Sequence, residues 1–289
     1  MSKTHSWLYN EQKAAKCLKV ASVTMQCDPE PDVNRAAMVT AVKEIKAIHP
    51  DVKLVVFGEM TLCWYTPGMR EYNHRVAEPI PGETTKILAG QAAEQDIFIC
   101  FGLLESRAGG MHNTQVLINP EGEIQAIHRK WNLKPQERRA DFQPGPRPVT
   151  VTDILGVKTG IVICSDAASP RAMWKLMKSG LDLILLSLAD DHDEGLFMAH
   201  FNARMYDAWI VTANRYGDET GYFWNGHTVI SDPLGALKAT SQNKAGYLIH
   251  ELCFDVRQSI MKRTLKNLIV KTPLLFLILR NLKKIKEYR

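Results

Sequence analysis

Short apolar runs rich in β-branched residues alternate with amphipathic stretches through most of the chain. Residues 17–25, 53–57, 97–104, 156–164, 181–188 and 209–214 are runs of this kind. They are too short for core helices and continuous enough for strands covered on both faces. Between the first two, Val33, Ala36, Ala37, Thr40, Ala41, Ile45 and Ile48 recur at helical spacing. Asp32 is the expected N-cap there, and His49-Pro50 the stop. Residues 82–96, 171–179 and 195–207 have helical composition. Gly109-Gly110 turns one strand back, and residues 112–119 and 122–129 flank Pro120-Glu121-Gly122 as a hairpin. Residues 149–153 pair with 156–164 through Leu155-Gly156. Residues 226–231 and 248–255 complete the strands, with a turn at Asp232-Pro233-Leu234-Gly235. Helices and strands alternate and then give way to hairpins, with no repeat and no linker. The pattern predicts one α/β domain with mixed sheets over residues 15–257.

Residues 258–289 stand apart. Leu265, Leu268, Ile269, Leu275, Leu279 and Leu282 lie near helical spacing around the run 274–279, and residues 262–289 hold nine basic residues against the single acid Glu287. The apolar run is far short of the ~20 residues that span a bilayer. Two readings stay open: an interfacial helix on an anionic membrane surface, or packing on protein. The tail also changes the meaning of the formal charge of +5, because the body before it is mildly acidic. No nucleic-acid surface is expected on that body.

The six cysteines, Cys17, Cys27, Cys63, Cys100, Cys164 and Cys253, lack the close spacing of a disulfide framework or a zinc site. Reduced thiols and a cytoplasmic setting are the expectation, with possible membrane association through residues 262–289. No secretion signal is visible at the start of the sequence. Cys164 is distinctive because the run Gly160-Ile-Val-Ile-Cys164 ends abruptly at Ser165-Asp166, a turn that leads into a helix. A thiol at a strand end can project from a sheet beside backbone N–H groups able to face developing negative charge. Two further reactive groups stand at comparable places, Glu59 after the run 53–57 and Lys130 after the hairpin strand.

Val-Val-Phe-Gly-Glu59, His-Arg-Lys130-Trp-Asn-Leu and Gly-Ile-Val-Ile-Cys164-Ser-Asp, in this order, resemble the nitrilase superfamily of carbon-nitrogen hydrolases. Ala203 to Ala208, Thr212 to Gly217 and Gly226 to Gly235 add supporting matches. The resemblance implies a four-layer αββα sandwich, a homodimer or higher homo-oligomer, and no metal or organic cofactor. It also implies that Cys164 attacks an amide, N-carbamoyl or nitrile carbon to form a thioester. Glu59 is then the general acid and base, Lys130 with the Ser165 N–H the oxyanion partner, and Glu137 a second glutamate in the loop after the lysine. Amide or N-carbamoyl hydrolysis is preferred, with acyl transfer to an amine and a catalytically silent binding protein as alternatives.

A thiol near its ordinary pKa of about 8.5 is only a few per cent thiolate at neutral pH, so these partners are chemically necessary. Trp64, Tyr65 and Trp131 follow Glu59 and Lys130 closely and are candidates for lining an apolar pocket, with aromatic packing in the core as the alternative reading. Asp190 and Asp191 are candidates for meeting a cationic substrate, against the simpler reading that acids favour the start of the next helix. The chain departs from the family pattern at Gly58, where Pro is common, and at Arg171, where a Glu is common. His128 is read as a strand residue, not as the base for Cys164.

Overall fold

The computed structural model describes residues 16–192, 194–241 and 244–254. The expected tail, with its membrane-surface reading, lies outside the described residues. Along the chain run β1 (Lys16–Gln26), α1 (Pro31–Ile48), β2 (Leu54–Val56), α2 (Arg70–Val76), α3 (Glu83–Gln95), β3 (Phe98–Arg107), β4 (Gly110–Ile118), β5 (Ile124–Arg129) and α4 (Pro135–Arg139). There follow β6 (Thr150–Ile154), β7 (Val157–Ile163), a 3₁₀ turn (Cys164–Ala168), α5 (Pro170–Ser179), β8 (Leu183–Ser187), α6 (Glu194–Tyr206) and β9 (Trp209–Ala213). The chain closes with β10 (Arg215–Glu219), β11 (Tyr222–Asn225), β12 (Thr228–Ser231), β13 (Leu237–Ser241) and β14 (Gly246–Phe254).

Two mixed sheets result. One has the order β11-β10-β1-β2-β3-β4-β5, with β14 also paired to β1, and the other the order β13-β12-β9-β8-β7-β6. Strand periodicity explains the layering. Val20, Leu54, Val56 and Cys100 of the first sheet meet Ile161, Leu183, Leu185 and Val211 of the second in a central core. Their neighbours Ala21, Val55 and Ile99 point the other way, onto Met38, Val42 and Ile45 of α1 and Leu88 of α3. Val162, Ile184 and Leu186 likewise face Leu176 of α5 and Ala199 of α6. Strands buried on both faces cannot alternate polar with apolar, which is why their sequences read as continuous apolar runs. The four-layer αββα sandwich is the architecture of the protein.

Two expectations need correction. Helix α1 begins at Pro31, whose fixed φ suits the first helical position, so Asp32 lies in the first turn and pairs with Arg35 at 2.7 Å instead of capping. The thiols are not all reduced: Cys17 and Cys253 form a disulfide across the β1–β14 pair, where they are register partners. Their sequence separation of 236 hid a proximity that only the sheet creates.

The parallel strands β2, β7, β8 and β9 deliver their C-terminal ends to one edge of the sandwich. Glu59 follows β2, the 3₁₀ turn beginning at Cys164 follows β7, Asp190 follows β8 and Asn214 follows β9. A crevice outside the carboxyl ends of parallel strands is where an α/β sheet places ligands.

Candidate active site

Glu59 is fully buried, three residues beyond β2. Its close packing depends on Gly102 of β3, where a Cβ would lie 2.5 Å from both the Gly58 carbonyl and the Met60 nitrogen. Its carboxylate is held from both sides. Oε1 accepts from Lys130 Nζ at 2.7 Å and from Asn113 Nδ2 at 2.7 Å, while Oε2 accepts the Ala189 N–H at 2.9 Å. Lys130 follows β5 directly, and its backbone N–H is bonded to the Asn113 carbonyl of β4 at 2.8 Å. Its ammonium also donates to Glu137 Oε1 at 3.0 Å. Glu137 sits in the first turn of α4, where Oε2 accepts the Lys134 N–H at 2.7 Å and Oε1 accepts from Asn113 at 3.0 Å. One ammonium thus lies between two carboxylates, and all three side chains are out of solvent. Burial opposes the charge on Lys130, but the field of Glu59, then of Tyr65, Cys164 and Glu137, holds its pKa well above that of an ordinary lysine.

Cys164 opens the 3₁₀ turn with φ of 45°, a left-handed conformation that a side chain rarely adopts. Such backbone costs of order 1–3 kcal/mol and is kept where the surroundings over-determine it. Asp166 does so here. Its Oδ1 accepts the N–H groups of Trp131 at 2.9 Å and Asn132 at 2.7 Å, and its Oδ2 accepts the Ile163 N–H at 3.1 Å and faces His128 Nε2 at 2.9 Å. Ser165 Oγ donates to the Asn132 carbonyl at 2.5 Å, and Asn132 Nδ2 returns a bond to the Ser165 carbonyl at 2.8 Å. The thiol turn and the loop after Lys130 are thereby locked together. His128 serves Asp166 and Thr150, as a strand residue, and not the thiol.

Desolvation, then the charge of Glu59, pushes the Cys164 thiol up to about 12, against Lys130 and Lys134, which favour thiolate. The resting group is a neutral thiol, so a base is needed more than the ammonium alone would suggest. A thiol whose folded pKa exceeds its unfolded value holds its proton more tightly when folded. The stability it contributes is fully present below the ordinary value near 9 and is lost as the pH rises towards about 12. In urea unfolding, the advantage of the wild type over Cys164→Ala should therefore shrink by up to about 1.4 kcal/mol per pH unit above about pH 9. A difference that stays constant to about pH 11 would contradict a neutral resting thiol.

The remaining sequence-predicted residues divide. Tyr65 joins the site: its ring centroid is 5.8 Å from Lys130 Nζ, and burial, opposed by Lys130, holds its phenol well above the ordinary value. Trp131 stands beside the thiol turn, with the guanidinium of the divergent Arg171 5.6 Å from its ring centre. Trp64 turns away, because its indole N–H is given to the Cys27 carbonyl at 2.9 Å and its ring packs against the core under α1. Asp190 is engaged at the start of α6, accepting the Gly195 N–H at 2.6 Å and the His192 N–H at 3.3 Å, as acids near a helix N-terminus do. Asp191 is half-buried in the same loop.

Two participants escaped the sequence reading. Asn113 binds both glutamates, but in the sequence it is one of four consecutive polar residues, His112 to Gln115, and nothing local singles it out. Lys134, half-buried at the start of α4, has its pKa raised chiefly by the neighbouring Cys164, whose thiolate form it would stabilise. The irregular composition of residues 131–148 gave no means of orienting it.

A carboxylate–ammonium–carboxylate cluster beside a strained thiol turn, on the edge of an αββα sandwich, defines an enzyme of the nitrilase superfamily. The chain belongs to the carbon-nitrogen hydrolase family, whose model matches residues 19–261. It is 32% identical over 191 residues to an (R)-stereoselective amidase of Pseudomonas sp, covering 64% of this chain and 67% of the relative. It is 31% identical over 224 residues to a nitrilase of Pyrococcus abyssi, covering 75% and 82%. Among solved structures, a nitrilase-superfamily member from Saccharomyces cerevisiae matches with a TM-score of 0.75 at 22% identity, covering 85% of this chain and 93% of that one. An amidase from Nesterenkonia sp. matches at 0.72 and 21%, covering 83% and 92%. A glutamate-to-glutamine mutant of the Nesterenkonia amidase shows covalent addition of the acetamide moiety of fluoroacetamide at its active site cysteine.

Proposed function

We propose that this enzyme hydrolyses the carbon-nitrogen bond of a non-peptide amide or N-carbamoyl compound through a thioester on Cys164. The observation that carries the reading is the buried Lys130 ammonium held by Glu59 at 2.7 Å and Glu137 at 3.0 Å, within the electrostatic reach of a neutral thiol. The covalent adduct at the cysteine of the Nesterenkonia amidase supports the same role for Cys164.

Glu59 takes the thiol proton as sulfur bonds to the carbonyl carbon. The carbonyl electron pair moves onto oxygen. An ammonium has three donors, and the two spent on carboxylates leave one for that oxyanion, with the Ser165 N–H as its companion. The protonated Glu59 then gives its proton to the departing nitrogen, and the C–N bond breaks to release ammonia or an amine. Water attacks the thioester with Glu59 again as base, freeing the carboxylic acid and restoring the thiol. Glu137 and Asn113 keep the Lys130–Glu59 pair from rotating out of line.

The test is intact-mass detection of an acyl adduct after mixing the enzyme with a panel of amides, N-carbamoyl compounds and nitriles, with Cys164→Ala as control. A mass increase with amides or carbamoyl compounds, absent from the variant, is expected. An adduct with nitriles alone would redirect the reading to nitrile hydrolysis, and no adduct with any member would sink it. Adding amine acceptors to the same mixtures separates hydrolysis from acyl transfer.

A further inference from the structure

Arg215 and Glu219, at the two ends of β10, are fully buried and take no part in the chemistry proposed above. The guanidinium nevertheless uses all three of its nitrogens as donors. Nε and Nη2 form a fork on Glu219, at 3.0 Å, 2.6 Å and 2.8 Å. Nη1 donates to the carbonyls of Glu59 and Met60, both at 2.8 Å, and Nη2 to the carbonyl of Cys63 at 2.7 Å. Glu219 completes the set by accepting the Tyr65 N–H at 2.9 Å.

One buried ion pair thus grips the backbone of residues 59–65 at four points. That segment belongs to neither helix nor strand, and Met60 within it has φ of 49°. Its buried carbonyls have no ladder to satisfy them. The residue before Arg215 acts on the opposite wall. Asn214 Oδ1 accepts the Asp190 N–H and Asn214 Nδ2 donates to the Asp190 carbonyl, each at 3.0 Å. Asp190 adjoins Ala189, whose N–H holds Glu59 Oε2. The main chain of Glu59 and one of its carboxylate oxygens are therefore both referred back to the dipeptide Asn214-Arg215.

We infer that Arg215, clamped by Glu219, is a positioning residue for Glu59: it fixes the backbone from which the carboxylate reaches Lys130 and the thiol. The inference rests on Glu59 acting as the base. None of the Arg215 donors described faces a substrate, so its effect passes entirely through the main chain. A lysine in its place keeps the charge but cannot reproduce a planar fork that serves a carboxylate and three carbonyls together.

The experiment measures the rate at which acrylamide alkylates Cys164 in the full-length protein, read by intact mass across pH. The proteins are wild type, Arg215→Lys and Glu219→Gln, each with Glu59 intact and with Glu59→Gln. Misplacing a catalytic group by about 1 Å can cost about 100-fold, so Arg215→Lys should slow alkylation by roughly 30- to 100-fold when Glu59 is present. In the Glu59→Gln background it should change the rate by less than about 3-fold, because the group it positions is already silent. Equal slowing in both backgrounds, or none in either, overturns the inference. If Glu59→Gln alone leaves the rate unchanged, Glu59 is not the base, and that failure is distinct from failure of the clamp. Should Arg215→Lys not fold, the near-isosteric Glu219→Gln answers the same question. Failure of both to fold would assign the pair to the stability of the sandwich alone and overturn the inference.

Discussion

Replacing Lys130 with methionine is expected to abolish turnover and to remove about 3–5 kcal/mol of stability in the same step. The two losses have one origin. The ammonium lies between Glu59 and Glu137 with all three groups excluded from solvent. Methionine fills much the same volume but leaves two carboxylates facing each other with the Asn113 amide as their shared donor. In the proposed mechanism the oxyanion also loses its cation, and with it the electrostatic stabilisation that is usually the largest contribution to such a reaction. The sign of the pH effect distinguishes this from general damage. In the variant, repulsion and burial raise the pKa of one carboxylate above its unfolded value, so acidification protonates it and recovers part of the lost stability. Urea unfolding at stepped pH should show the gap between Lys130→Met and wild type narrowing towards acid. A gap that widens or stays constant would mean that the carboxylates are compensated in some other way.

Glu59→Gln should lower kcat by about 10²–10⁴-fold, the usual contribution of a positioned general acid–base group, with a much smaller change in KM. The substitution keeps the shape and one acceptor oxygen, so the bonds from Ala189 and Lys130 can be partly retained while proton transfer is lost. Cys164 should then react only slowly with small electrophiles, because desolvation keeps the thiol protonated and the proposed base is gone. Steady-state kinetics alongside thiol alkylation checks this. A KM effect with kcat preserved would place Glu59 in binding and not in proton transfer.

The chain discloses its chemistry more readily than its geometry. Glu59 and Cys164 stood out as candidates because each stands where an apolar strand stops, whereas Lys130, after the mixed hairpin strand Ile-Gln-Ala-Ile-His-Arg129, stood out only through the order of the three motifs. The runs that form β1, β7, β8 and β9 were legible because strands covered on both faces leave long apolar signatures. The hairpin of β10 and β11 was not. Its first strand, Arg215-Tyr-Gly-Asp-Glu219, looks like a polar loop because its three inward residues are an arginine and a glutamate that satisfy each other, with a glycine between them. Trp64 and Tyr65, neighbours in the sequence, part for a geometric reason: adjacent residues outside regular structure need not share a face. Tyr65 reached Lys130 while its neighbour packed under α1. Asn113 and the Cys17–Cys253 bond depend on strands meeting across the sheet, which no local pattern in the chain encodes.

The pairing of β14 with β1 also sets a polarity for the whole molecule. Phe254 lies beside Lys16 at the start of β1, whereas the catalytic groups gather at the opposite ends of the parallel strands. Eleven residues of extended chain separate the two ends of β1, a distance of about 35 Å. Phe254 therefore lies at the pole of the sandwich away from the thiol. A surface, a bead or a fused domain lying against that pole would hold the enzyme by its back, on the side of the sandwich away from Cys164.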